Sequence, residues 1–123
     1  MRVLWIGVLG FAGAIARYEV EGFVSRRTTG AFPWGTLVVN ATGCFLLGLL
    51  MTLFTERFLP HPNVRTALTI GFLGAYTTFS TFSYETYRLG EDGAIGLGLL
   101  NVGLSMSAGL LAVWLGVVVG RAV

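Results

Sequence analysis

The chain contains no lysine and a single cysteine, Cys44. Only 11% of its 123 residues are charged, against about 25% in an ordinary soluble domain. Each shortage excludes something. One cysteine rules out an intramolecular disulfide and any multi-cysteine metal site. So few charges cannot cover the exterior of a small soluble domain. A disordered chain would be richer in charge and poorer in hydrophobic residues. Eight arginines against six acids leave a net charge of +2, too weak and too scattered to bind nucleic acid. Catalytic signatures are missing as well. There is no H-E-x-x-H, nucleophile elbow or P-loop. His61 stands alone between Pro60 and Pro62 and is expected at the surface of a loop. No base, nucleophile and orienting group come together, so the chain is not expected to be an enzyme.

Long apolar runs fill the space that charge leaves. Hydrophobic residues make up 54%, glycine accounts for 18 residues, and the mean hydropathy is +0.77. A membrane-spanning helix needs about 20 apolar residues, at about 1.5 Å each across a core of about 30 Å. Four segments meet that need, at about 3–24, 33–55, 64–86 and 94–120. The runs lack the apolar–polar alternation of a transmembrane β-strand. The first has no small-x-small cleavage site ahead of a soluble domain, so it is expected to remain as a span rather than act as a signal peptide. The reading is an all-α membrane protein, one domain over 1–123, with both termini on one side. Four arginines (Arg2, Arg57, Arg65, Arg121) fall to that side and four (Arg17, Arg26, Arg27, Arg88) to the other. With no bias for the positive-inside rule to act on, the chain is free to insert both ways. Two inverted copies could then pair antiparallel; a single prevailing orientation stays open.

Glycine at Gly7, Gly10 and Gly13, at Gly43 and Gly48, and at Gly103, Gly116 and Gly120 offers small surfaces for close helix packing. A four-helix bundle is too small to enclose a wide path alone, so an oligomer is expected. Polar residues at depth are costly and tend to mark function. Thr36, Asn40 and Gly43 share one face of the second helix. Asn40 either serves a site or bonds a neighbouring helix. Between Gly71 and Ser83, Thr77, Thr78, Ser80, Thr81 and Ser83 put five hydroxyls into seven residues. Hydroxyls that bond backbone, beside Gly71 and Gly74, predict an interrupted helix. Such backbone is tolerated only where protein buries it or a cavity meets it. Its carbonyls can hold a cation and its half-helix N-terminus an anion. Phe79 and Phe82 are three apart; their electropositive edges suit an anion path, or both rings pack in the core. Glu85 and Arg88 form a pair or cap a vestibule. Arg17 attracts an anion or pairs with Glu19, Glu21 or Glu85. Asn101 and Ser105 form a polar stripe on the fourth helix.

These residues together resemble the small fluoride channels of the CrcB/Fluc family. Gly10-Phe-Ala-Gly-Ala-Ile-Ala-Arg-Tyr18 is similar to the family's first-helix motif, and Trp34-Gly-Thr-Leu-Val-Val-Asn40 with Gly43 and Gly48 to its second. Gly71-Phe-Leu-Gly-Ala-Tyr-Thr-Thr-Phe-Ser-Thr-Phe-Ser83 with Glu85 is similar to the third, and Gly109-Leu-Leu-Ala-Val-Trp-Leu-Gly116 to the fourth. The likeness runs over almost the whole chain in order.

The resemblance implies a passive fluoride-selective channel in the cell (inner) membrane that exports cytoplasmic fluoride down its electrochemical gradient. It implies an antiparallel homodimer with two pores and a structural sodium ion (Na+) at its centre, held by the carbonyls of Gly74 and Thr77. Phe79 and Phe82 would meet fluoride by their edges. Asn40 would donate to fluoride or to the phenylalanine region. Ser80 and Thr81 would line the path, with Ser105 as the fourth-helix contact. Arg17 and Glu85 would stand at a vestibule. Many relatives carry tyrosine where this chain has Asn101. The other reading of a four-helix dimer is a proton-coupled cation or drug exporter, which would want a carboxylate at mid-depth.

Overall fold

A computed structural model describes all residues 1–123. The chain is helical throughout, with no strand. Helix α1 spans Arg2–Ser25 and α2 spans Trp34–Thr52, prolonged by a π-helical turn, Leu53–Arg57. A short α3, Pro62–Thr66, runs into a π-helical stretch, Ala67–Leu73, and then into one turn, α4, Gly74–Tyr76. Two extended residues follow. Helix α5 spans Phe79–Glu91 and α6 spans Ile95–Ala122. Three helices are long and apolar enough to cross a membrane: Arg2–Ser25, Trp34–Arg57 and Ile95–Ala122. The remaining segment, from Pro62 to Glu91, is two half-helices set end to end.

The ends of these elements follow from their sequences. Pro33 precedes α2, and Pro62 stands in the first turn of α3, where a missing N–H is harmless. His61 caps α3, its Nδ1 accepting from the Asn63 N–H at 3.2 Å. Gly93 ends the turn after α5 at φ +82°, a conformation other residues resist. Across that last turn the Tyr87 hydroxyl donates to Glu91 at 2.8 Å, and this bond raises the phenol above its ordinary pKa. Arg88 pairs with Asp92 at 3.8 Å, not with Glu85 as the sequence suggested. The i, i+4 spacing puts the two side chains on one face in the polar turn.

Side-chain contacts put both termini at one end of the bundle. Arg2 donates to Asn63 at 3.2 Å, and Arg121 pairs with Glu56 at 3.2 Å. The Arg57 guanidinium donates to the Arg121 carbonyl at the same end.

Close packing is concentrated where glycine allows backbones to meet. A Cβ on Gly48 would lie 2.4 Å from the Val113 carbonyl oxygen, and one on Gly116 would lie 2.2 Å from that of Phe45. Helices α2 and α6 therefore touch backbone to backbone, as membrane helices do without a hydrophobic drive between them. A Cβ on Gly13 would strike the Phe72 carbonyl at 2.2 Å, which fixes α1 against the π-helical stretch. Gly7 and Gly103 face open space instead. The buried core is small: Val39, Leu73 and Tyr76, flanked by Ala16, Val20, Leu46, Leu50 and Phe72. It sits immediately before the interruption and anchors it to α1 and α2. Large apolar side chains such as Phe11, Leu99, Leu110 and Trp114 point outward.

Candidate functional site

The interruption is made by Thr77 and Thr78, both in extended conformation (φ −83°, ψ 157° and φ −149°, ψ 113°). Breaking a helix frees backbone groups that lipid cannot satisfy. Here side chains satisfy several of them. The Asn40 amide reaches across from α2 and pairs with both sides of Thr78: Nδ2 donates to the Thr78 carbonyl at 3.0 Å, and Oδ1 accepts from the Thr78 N–H at 2.8 Å. The Thr78 hydroxyl accepts from the Thr81 N–H at 3.2 Å and so caps α5. It also bonds the Thr81 hydroxyl at 3.0 Å. The Thr77 hydroxyl turns back to the Leu73 carbonyl at 2.9 Å. Tyr76 and Thr42 join hydroxyls at 2.9 Å, a second tie between α2 and the segment before the break. Gly43 makes this nesting possible, because a Cβ there would lie 2.2 Å from Thr77 Cγ2.

Some backbone groups at the break stay without a partner in the chain. The Thr77 carbonyl accepts no hydrogen bond from this chain. Thr77 is extended, outside the helical ladder, and both it and Gly74 line a cavity at the break. A hard cation takes oxygen ligands of this kind, so the residues present fit a sodium ion.

Two cavities flank the broken segment. The first, about 320 Å³, is lined by Asn40, Thr77, Thr78, Phe79, Phe82 and Ser105 among others. It gathers five of the sequence-predicted site residues with Thr78, and Gly74 makes a sixth. Phe82 is buried, whereas Phe79 is 77% exposed and projects from the chain. Their ring centroids are 5.6 Å apart and their planes cross at 47°. The second cavity, about 180 Å³, holds Thr36, Thr81 and Glu85 with Glu21 and Ser25 at the opposite side. One oxygen each of Glu21 and Glu85 is buried there without a partner in the chain.

Other expected residues lie elsewhere. Ser80 is exposed, its hydroxyl 3.4 Å from that of Thr78. Arg17 is half-buried on α1, lines neither cavity and forms no ion pair with Glu19, Glu21 or Glu85. Asn101 stands behind the first cavity rather than in its wall. Two positions that hold the break received no role from the sequence: Thr78, which both caps α5 and receives Asn40, and Tyr76. The Thr78 signal was available. A threonine three residues before another polar residue at the start of a helix is the pattern of an N-cap.

Comparison with known proteins adds a consistent result. The family model described as CrcB-like protein, Camphor Resistance (CrcB), matches residues 4–117. A protein of Acidobacterium capsulatum named fluoride-specific ion channel FluC is 47% identical over 121 residues, covering 98% of this chain and 97% of its own. One of the same name from Solibacter usitatus is 48% identical over 98% of this chain and 99% of its own. Another, from Geobacter sulfurreducens, is 47% identical over 97% and 96%.

Proposed function

The chain belongs to the CrcB-like family, and from that premise we infer that it is a fluoride-specific ion channel of the membrane. Fluoride moves passively, down its electrochemical gradient and out of the cytoplasm. The observation that carries the reading is near-full-length identity of about half with relatives named for this activity. A proton-coupled exporter is not favoured.

The path runs through the first cavity and along the hydroxyl side of α5 to the second. Fluoride is small and strongly hydrated, so an apolar pore alone would exclude it. Asn40 has one amide hydrogen on Thr78 and a second left to donate. Ser80, Thr81 and Ser105 supply hydroxyls near the same route. The edges of Phe79 and Phe82 add a diffuse positive potential that attracts an anion without holding it tightly. Several weak contacts in series let an ion enter and leave. Arg17 draws anions from a distance rather than by contact.

The third span is the broken segment, giving four spans per chain. Two inverted copies form an antiparallel homodimer with the broken segments at its centre. Three features support this: arginines divided equally between the ends, apolar outward faces, and an exposed Phe79 beside an open cavity. A sodium ion there would be held by the carbonyls of Gly74 and Thr77 from both copies and would stiffen the junction.

The reading is tested with fluoride-loaded liposomes. Phe79→Ile is expected to cut fluoride efflux at least about tenfold, as loss of one positioned contact does, while the purified assembly keeps its size. Wild-type efflux from the variant would remove this ring from the path.

A further inference from the structure

We propose that Asn101 is a positioning residue that holds the Ser105 hydroxyl turned away from the first cavity, in competition with the ion. The inference rests on the channel reading of that cavity. Asn101 is 1% exposed, and with Val39 it is the largest fully buried side chain. An amide in an apolar helix is costly unless its groups are bonded. Both of its polar atoms are. Asn101 Nδ2 donates to the Thr86 hydroxyl at 2.9 Å, and Oδ1 accepts from the Ser105 hydroxyl at 3.2 Å. Thr86 in turn donates to the Phe82 carbonyl at 2.8 Å. Every donor in this chain points the same way, from Ser105 on α6 to the backbone of Phe82 on α5. Gly98, one turn before Asn101, packs against the same stretch of α5: a Cβ there would lie in ordinary contact, 3.4 Å from the Thr86 carbonyl.

The direction has a chemical consequence. A serine hydroxyl carries one hydrogen. Ser105 lines the cavity with Asn40, Phe79 and Phe82, yet its hydrogen is engaged behind the wall. Toward the cavity it presents lone pairs, which repel an anion. To meet fluoride it must rotate its O–H off Asn101 and leave a buried oxygen unpaired. The new bond is gained against the old one, so Ser105 becomes a weak donor that engages only when an ion is present. A site of that kind releases what it binds, as conduction requires. Asn101 touches no ion; it sets how firmly Ser105 does.

The test measures fluoride flux against fluoride concentration in liposomes bearing wild type, Asn101→Leu, Ser105→Ala and the double variant. Leucine has nearly the shape of asparagine and no acceptor, so Ser105 is free to donate at all times. The half-saturating fluoride concentration is expected to fall roughly tenfold, the scale set by one unpaired buried group. That shift should vanish when Ser105 is alanine, a dependence that mere loosening of the helices would not produce. Asn101→Ala reads the same quantity should the leucine variant not fold. Unchanged half-saturation in a conducting, assembled variant would overturn the proposal, as would an equal shift in the Ser105→Ala background. Wild-type liposomes that pass no fluoride would overturn the channel reading itself.

Discussion

Asn40 was legible as a residue and not as a geometry. An amide seven residues into an apolar helix demands a partner, and the sequence shows that much. Whether the partner is an ion or a backbone depends on which group faces it across the bundle. The structure gives its oxygen and one hydrogen to Thr78, so it shapes the break before it meets any ion. Asn40→Ala leaves the Thr78 N–H and carbonyl unpaired at depth. Thermal unfolding in detergent is expected to show a loss of about 2–3 kcal/mol, from two polar groups deprived of partners. Fluoride flux should fall with it. A variant as stable as wild type would mean that other groups satisfy Thr78. Asn101 was harder to read. Its spacing from Ser105 is plain, but its bond to Thr86 joins residues 15 apart on two helices. Phe79 and Phe82 looked equivalent by spacing. One is buried and the other projects, although both line the same cavity.

Among the elements, the three unbroken helices were the most legible, because long apolar runs with prolines and charges at their ends admit few other readings. The interruption was legible too, from threonine and serine crowded beside glycine. Its exact place at Thr77 and Thr78 was not, since any of five hydroxyl residues could have left the helix. What decides it is tertiary: Gly43 makes room for Thr77, and Asn40 pairs with the next peptide. The π-helical stretch at Ala67–Leu73 had no counterpart in the sequence reading. A wider turn leaves no mark in hydropathy, and here the stretch packs its Phe72 backbone directly against Gly13 of α1. Arg88 shows a smaller failure of the same sort. Glu85 is three residues before it and Asp92 four after, and only the second lies in the exposed turn where a pair forms readily.

At the scale of the whole molecule, one chain encloses little of itself. Its core is three side chains and their neighbours, and large apolar residues cover its outside. Lipid can cover most of that surface. It cannot serve the polar groups of the first cavity, beside which Phe79 projects. In the homodimer we propose, a second, inverted copy would cover them. If the proposed antiparallel pair forms, labelling of a terminal tag from each side of intact membrane vesicles is expected to reach about half of the molecules from either side, which an unbiased arginine distribution permits. Labelling from one side only would contradict the antiparallel arrangement. The central claim is selective passage of fluoride, and it is tested most directly by comparing fluoride and chloride efflux from liposomes holding the wild-type protein. Fluoride should leave at least about a hundredfold faster, the discrimination that a site built to hydrogen-bond its ligand readily achieves. Equal rates for the two anions would contradict it.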